Sequence, residues 1–242
     1  MIVSQTDTGW QLITQQAHGL LAFQLAMHWH PDHRPDFWPE TLVALTEHDD
    51  GQEAWQGRNH LTKAGTPLHF QITEYSVEQC RNLIAIALEK SRWNALMVSM
   101  HTSFLYEPRR GEDAALDAFL DQQKTNQTRW RRQYEANRKQ ADYAYAFVQW
   151  CDALSLVLCL DQLPPEGRRL EVSMGPDGRS YYIRQRPDQT LALEPWPFDG
   201  LELTVAVEAY QLEQVTFAND NELYNAMQDA TIKRLCWTFR EA

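Results

Sequence analysis

The strongest constraint on the fold is a change of pattern at Pro164-Pro165. Before these prolines, the segments 15–29, 92–106 and 141–162 have the length of helices and are apolar on most sides, which is typical of buried helices. After them, apolar and polar residues alternate as in strands, and a Pro-Asp-Gly sequence at 176–178 indicates a turn. The chain therefore changes from mostly helical to mostly β near this point.

This change predicts a mainly α fold, α+β overall, in two parts. Residues 1–163 are expected to form a helical bundle preceded by short N-terminal strands, because 1–15 contains a turn signal between two short apolar runs. Residues 164–242 are expected to form an antiparallel, β-rich region packed on that bundle.

Composition narrows the possible partners. The chain has 242 residues and a formal net charge of -11, which argues against a general nucleic-acid or anionic-membrane partner. No apolar run approaches the roughly 18 residues of a membrane helix, and the first residues lack the features of a signal peptide. Four scattered cysteines without a CxxC pair are expected to be free thiols. We therefore expect a cytoplasmic protein with a small-molecule substrate, and its oligomeric state stays open.

Polar residues on four apolar helices suggest a shared site. Burying any of them costs free energy unless it is paired, and one metal ion would pair them together. Imidazole and carboxylate ligands suit a divalent Mn, Fe, Zn, Ni or Co ion. The residues, in chain order, are His18, the doublet His48-Asp49, His101 and Asp152.

Each of these residues also has an ordinary structural interpretation. At the end of a helix, His48 could simply interact with the helix dipole. His101 is as well suited to catalysis, or to holding a metal ligand in place, as to ligation itself, and Asp50 could act as a base or sit in a solvated turn. The histidine-rich segment 28–33 resembles a metal cluster, but its prolines indicate a surface loop.

Substrate contacts can be assigned to two segments. Arg131 and Arg132, in a locally basic stretch, could bind a phosphate group, although a solvated helix face explains them too. Tyr145 and Gln149 share helical spacing with Asp152 and could form a pocket wall.

The order of the polar residues resembles the HD superfamily of metal-dependent phosphohydrolases, whose ligands follow H…HD…D on a helical fold. The resemblance implies an HD-like bundle with His18, His48, Asp49 and Asp152 as metal ligands. The doublet departs from it, since Asp50-Gly51 stands where a Gly-Lys or similar pair is usual. Dinuclear members carry two further histidines between the doublet and the last aspartate. Here His101 lies on a helix, but the other candidate, His69, lies in a loop, so a mononuclear site is favoured.

The chain also resembles an uncharacterised bacterial family of unknown function. The phrases that carry this resemblance are GWQLITQQAHGLLAFQLAMHW, EHDDGQEAW, ALMVSMHTSFLY and CDALSLVLC. The first hypothesis is therefore a metal-dependent phosphohydrolase, with Asp50 and His101 as its catalytic residues. An iron-dependent oxygenase on the same fold and a non-catalytic module that binds a ligand or a partner are the alternatives.

Overall fold

The computed structural model describes residues 1–49 and 60–241. Strands from both ends of the chain form one curled sheet of seven strands, and most of the helices lie between them in the sequence, which gives an α/β protein. The strands are β1 (Ile2–Gln5), β2 (Trp10–Ile13), β3 (Leu170–Met174), β4 (Ser180–Gln185), β5 (Leu191–Glu194), β6 (Glu202–Leu212) and β7 (Thr231–Arg240). The helices are α1 (Gln15–Met27), α2 (Trp38–Glu47), α3 (Val77–Lys90), α4 (Arg92–Tyr106), α5 (Ala114–Gln133), α6 (Arg138–Cys159) and α7 (Asp220–Gln228).

Most helices begin at a polar side chain that caps the first turn. The Thr14 hydroxyl accepts a hydrogen bond from the backbone of Ala17 at the start of α1. Asn137 and Gln140 form a reciprocal capping box at the start of α6. Such caps satisfy backbone N–H groups that have no partner within the helix, so they fix where α1 and α6 begin and which faces these helices turn inward.

The sheet joins strands from the two ends of the chain. Its order is β1-β2-β6-β7-β5-β4-β3, and every neighbouring pair is antiparallel except β5 and β7. In the pairing of β2 with β6, Trp10 lies opposite Leu212. The expected mainly α, HD-like bundle with a C-terminal antiparallel β region is therefore wrong: the first two strands complete a mixed sheet with the last five.

Helices α1 and α6 connect the sheet to the remaining helices. α1 packs on β6 and α6 packs on β3, while α2 and α4 contact α6 from the other side. The side-chain amide of Gln24 on α1 bonds both backbone groups of Ala206, its Nε2 donating at 2.8 Å and its Oε1 accepting at 3.0 Å. These two hydrogen bonds satisfy backbone groups of β6 in a part of the strand that does not pair with β2, and they fix α1 against the sheet.

A glycine brings α1 and α2 into close contact. A Cβ atom placed on Gly19 would lie 2.6 Å from the carbonyl oxygen of Thr46, which is closer than real side chains approach. The backbones of the two helices therefore meet beside the positions of His18 and His48. Within the described ranges, no helix combines the length and the apolar character needed to cross a membrane.

Candidate metal centre

Four helices bring the predicted polar residues to one point. His18 lies on α1, His48 ends α2, His101 lies on α4 and Asp152 lies on α6. Their exposed fractions are 0%, 2%, 2% and 9%, so water does not solvate them as it would at the surface. Asp49 follows directly and is half-buried. The structure thus brings the residues that the sequence singled out to one place, although the fold around them differs from the expected one.

Two histidines converge on one carboxylate oxygen. Asp152 Oδ1 lies 3.0 Å from His18 Nε2 and 3.1 Å from His48 Nε2. The His18 contact does not have the direction of an N–H···O hydrogen bond, and neither nitrogen of His18 has a hydrogen-bond partner among the described residues. A buried imidazole without such a partner is uncommon, and a cation shared by His18 and Asp152 would satisfy both groups.

The hydrogen bond of His48 selects the nitrogen that faces the cluster. Its Nδ1 lies 2.6 Å from the carbonyl oxygen of Leu45, which can only accept, so Nδ1 carries a proton and donates it. In the neutral ring, Nε2 then presents a lone pair toward Asp152. A lone pair and a carboxylate repel each other unless a proton or a metal ion lies between them, and a backbone carbonyl is the usual partner of a metal-bound histidine.

The separations between ligand atoms match those around a metal ion. Zinc–nitrogen and zinc–oxygen bonds are about 2.0–2.2 Å long, which places two ligands about 3.0 Å apart at right angles and about 3.4 Å apart in a tetrahedron. The two contacts of Asp152 Oδ1, at 3.0 and 3.1 Å, fall at this spacing. The next shortest contact, from His48 Nε2 to Asp49 Oδ2, is 3.6 Å. His18, His48 and Asp152 can therefore hold one metal ion with little rearrangement.

Asp49 and His101 form the other side of the cluster. Asp49 Oδ1 lies 3.9 Å from His101 Nε2, and with His48 these residues make a second, overlapping group of ligand atoms within 4.8 Å of one another. Asp49 Oδ2 accepts a hydrogen bond of 2.9 Å from Gln15 Nε2. Asp49 can consequently complete the coordination begun by the other three residues, and His101 can either share it or stay free to move a proton.

The electrostatics show that the cluster needs positive charge. Burial lowers the pKa of His48, but the carboxylates of Asp49 and Asp152 outweigh burial and raise this pKa to about 10. Burial raises the pKa of Asp152, but His48 and His18 hold it well below its usual range. Burial, assisted by the charge of His48, lowers the pKa of His101. Without a metal, a proton on His48 therefore supplies the positive charge that a bound metal ion would otherwise provide.

A cavity of about 340 Å³ opens onto the cluster. This volume is at the small end of the range for sites that bind small molecules. One wall is α4, another is the start of α3, and a third is the segment between residues 70 and 76. The lining includes the site residues Gln15, His48, Asp49, His101 and Asp152, the apolar residues Phe70, Leu83, Leu105 and Leu156, and Arg109.

The predicted substrate residues lie in different places. Tyr145 is near the cluster, with its ring centroid 6.3 Å from that of His101 and its hydroxyl buried without a hydrogen-bond partner among the described residues. Gln149 is half-buried on α6 but does not line the cavity. Arg131 donates to the carbonyl of Ala136, and Arg132 lines a separate depression on α5. Binding of phosphate by these two arginines remains a prediction.

The remaining predicted residues either make only local contacts or lie outside the described residues. The candidate catalytic residue Asp50 lies outside the described residues. In the histidine-rich segment, His30 Nδ1 accepts a hydrogen bond from the backbone of Asp32, and His69 likewise accepts one from Gln71. Both rings thus cap short turns. His69 belongs to neither of the two groups of possible metal ligands found among the described residues, the one that contains His18 and the one that contains His101.

Two site residues were not anticipated from the sequence. Gln15 precedes His18 by three residues, so both lie on one face of α1, and this spacing is a signal that could have been used. Arg109 follows His101 by eight residues, about two helical turns, but it lies beyond the end of α4 in a short 3-10 turn. Its position in the cavity depends on packing that sequence periodicity does not report.

Comparison with known proteins identifies a family without an assigned activity. Neither the curated proteins nor the solved structures contain a significant match to the chain. The family described as "Protein of unknown function (DUF3891)" matches residues 1–214, which include every residue of the cluster, and no family match supports membership of the HD superfamily. Since this match spans most of its length, the chain belongs to the DUF3891 family.

Proposed function

We propose that the protein is a metal-dependent hydrolase that acts on phosphoesters. One observation carries the proposal: His18 and His48 bring their Nε2 atoms to 3.0 and 3.1 Å from the same buried oxygen of Asp152. Residues separated by up to 134 positions in the sequence, His18 and Asp152, are folded together at this point. The order of these residues along the chain is the H…HD…D order of the phosphohydrolases that it resembles.

The residues of the chain divide into ligands and supporting groups. His18, His48, Asp49 and Asp152 would hold a divalent Mn, Fe, Zn, Ni or Co ion, since their nitrogen and oxygen donors suit these metals. When bound, such an ion lowers the pKa of a water molecule and polarises a phosphoryl oxygen. Gln15 orients the Asp49 carboxylate through its hydrogen bond.

His101 is the candidate for proton transfer. Its pKa is lowered, so its ring is neutral near pH 7 and can accept a proton. Its Nδ1 is buried without a hydrogen-bond partner among the described residues, while its Nε2 faces Asp49. The apolar side chains that line the cavity limit access of bulk water and so strengthen the electrostatic interactions within it.

Metal analysis tests the ligand assignment. Purified protein is expected to contain a stoichiometric divalent metal, and His18→Ala should lose it. His33→Ala is the matched control, because His33 is an exposed histidine outside the cluster. A wild-type protein that binds none of the five metals, together with a His18→Ala variant of equal stability, would contradict the proposal.

Turnover tests the reaction class. The metal-loaded protein is expected to hydrolyse a phosphomonoester or phosphodiester such as p-nitrophenyl phosphate or bis-p-nitrophenyl phosphate. His101→Gln should lower kcat by about 10²–10⁴-fold, the usual contribution of general acid–base catalysis, while retaining the metal. Absence of hydrolysis of both esters with every metal would contradict this assignment without affecting the metal site.

One observation favours a second candidate, an iron-dependent oxygenase. His18, His48 and Asp152 are two histidines and one carboxylate, the ligand set of non-haem iron oxygenases. Asp49 distinguishes the two functions, because its coordination would occupy a position that an oxygenase keeps open. Anaerobic loading with Fe(II), followed by measurement of O2 consumption with and without an organic co-substrate, separates them.

A further inference from the structure

One wall of the cavity, formed by α4 and the 3-10 turn that follows it, runs from the cluster to Arg109. His101, Leu105 and Arg109 are spaced four residues apart, and all three line the cavity. At a rise of about 1.5 Å per residue in α4 and about 2 Å in the 3-10 turn, the backbone positions of His101 and Arg109 are about 13 Å apart along this wall. One small ligand can therefore contact the cluster and, through its other end, the Arg109 side chain.

Arg109 is held in place by two neighbours. Its guanidinium carbon lies 4.1 Å from the centroid of the Tyr75 ring, a cation–π arrangement. Its Nε and Nη2 atoms are each 2.9 Å from Glu112 Oε2. An arginine has five N–H donors, so Nη1 remains available to a ligand. Glu112 is 53% exposed and can be displaced at little cost, because exposed ion pairs contribute little.

The charge around the cavity makes this arginine distinctive. Among the described lining residues, Arg109 is the one arginine or lysine, while Asp49, Glu74 and Asp152 are acidic. The whole chain carries a net charge of -11. An anionic group on a ligand would be repelled by most of this surface, so Arg109 is the position in the cavity that favours such a group.

We propose that the substrate is a small molecule with two anionic groups: a phosphoester that reaches the His–Asp cluster, and a second anion, a carboxylate or phosphate, that Arg109 binds. This inference rests on the proposed function. Arg109 is then the residue that determines specificity, while the apolar walls contact the part of the molecule between its two ends. Phosphoesters of the same size that lack the second anionic group bind more weakly.

Binding of two matched phosphonates tests this specificity without requiring turnover. Phenylphosphonate and 4-carboxyphenylphosphonate differ by one carboxylate, and neither is hydrolysed as an ester. With protein in saturating Mn²⁺, calorimetry is expected to show about tenfold tighter binding of the carboxylated compound, the equivalent of a charge-assisted hydrogen bond. Arg109→Gln should remove this preference and leave the affinity for phenylphosphonate unchanged.

Two further variants sharpen the test. Arg110→Gln is the matched control, because the Arg110 side chain pairs with Glu107 and Asp121 and does not line the cavity; the preference should persist in it. Glu112→Gln releases Arg109 from its competing carboxylate, so the preference should increase.

The results separate the two proposals. A preference that persists in Arg109→Gln, or the absence of any preference in the wild type, overturns the role of Arg109, as does failure to bind either phosphonate. A preference that depends on Arg109, in a protein that hydrolyses neither phenyl phosphate nor 4-carboxyphenyl phosphate, supports the anion site and contradicts the hydrolase assignment.

Discussion

Gln15 Nε2 donates a hydrogen bond of 2.9 Å to Asp49 Oδ2 and thereby links the start of α1 to the residue pair that ends α2. Gln15 is 4% exposed, and its Oε1 has no hydrogen-bond partner among the described residues. Gln15 lies one turn before His18 on α1. This helix therefore supplies both a candidate metal ligand, His18, and the hydrogen bond that supports another candidate ligand, Asp49.

Gln15→Ala is expected to weaken metal binding by about 10–100-fold, the usual effect of removing the hydrogen-bond partner of a metal ligand. The measurement is competition with a chelator of known affinity. Gln16→Ala, at the exposed neighbouring position, is the control and should bind as tightly as the wild type. Equal affinities in the two variants would show that Asp49 needs no support or is not a ligand.

The stability of the metal-free protein should decrease as pH rises above neutral. The pKa of His48 is about 10 in the folded protein against an ordinary value of 6.5. A group whose pKa rises on folding stabilises the folded state fully below its unfolded pKa, and this contribution is lost as pH rises toward the folded pKa. The window is therefore pH 6.5 to 10.

Urea unfolding in EDTA across this window measures the effect. Other groups titrate at high pH, so the relevant quantity is the difference between the wild type and His48→Asn. That difference should shrink steadily from pH 6.5 to 10. A constant difference would mean that His48 is already neutral at pH 7 in the absence of metal.

Asp152→Asn is expected to abolish metal binding and to destabilise the metal-free protein by about 3–5 kcal/mol, since it removes one partner from a buried charged group. The same change should lower the pKa of His48, because Asp152 contributes to raising it. Imidazole resonances followed by NMR against pH report this directly. Asp142→Asn, at an exposed position of the same helix, should change neither quantity. An unchanged His48 pKa in Asp152→Asn would contradict the direct contact of 3.1 Å.

Gly19→Ala distinguishes packing from helix propensity. In an exposed helix this change stabilises by about 1 kcal/mol. Here the added Cβ would lie 2.6 Å from the carbonyl oxygen of Thr46, so the helices must separate, at a cost of about 1–3 kcal/mol. Thermal unfolding should show a lower Tm, and metal affinity should fall because His18 moves with α1. A raised Tm would show that the contact relaxes freely.

Tyr145→Phe tests the remaining contact predicted from sequence near the cluster. The hydroxyl is buried without a hydrogen-bond partner among the described residues, so its removal should leave stability unchanged or slightly improved. Tyr145 is not among the described residues that line the cavity, so the affinity for phenylphosphonate should stay unchanged, and a fall would assign the hydroxyl to ligand binding. Equal affinity in the variant and the wild type would assign Tyr145 to packing alone.

Local sequence signals predicted much of the site and little of the sheet. The apolar helices and their polar residues could be identified because periodicity and caps act within a few residues, as at Thr14 and α1. The pairing of Trp10 with Leu212 joins positions about two hundred residues apart, and a four-residue strand carries no information about its partner. The polar residues grouped from the sequence therefore come together within an architecture that the sequence did not predict.

The cavity was less predictable than the cluster for a similar reason. A histidine on an apolar face is conspicuous because its burial needs compensation. Arg109 is partly exposed and lies in a charged segment, where an arginine is ordinary. Only the packing of α3 and residues 70–76 against α4 shows that it borders the same cavity as His101.

The pairing of β2 with β6 has a consequence for synthesis on the ribosome. α1, with His18, begins two residues after β2 ends, yet the strand that pairs with β2 and packs against α1 is translated nearly two hundred residues later. A nascent chain that has released α1, α2 and α4 already contains the three histidines of the cluster. At that stage α1 still lacks the strand of the sheet against which it packs. We therefore expect the cluster of His18, His48, His101 and Asp152 to assemble late, only after β6 has emerged.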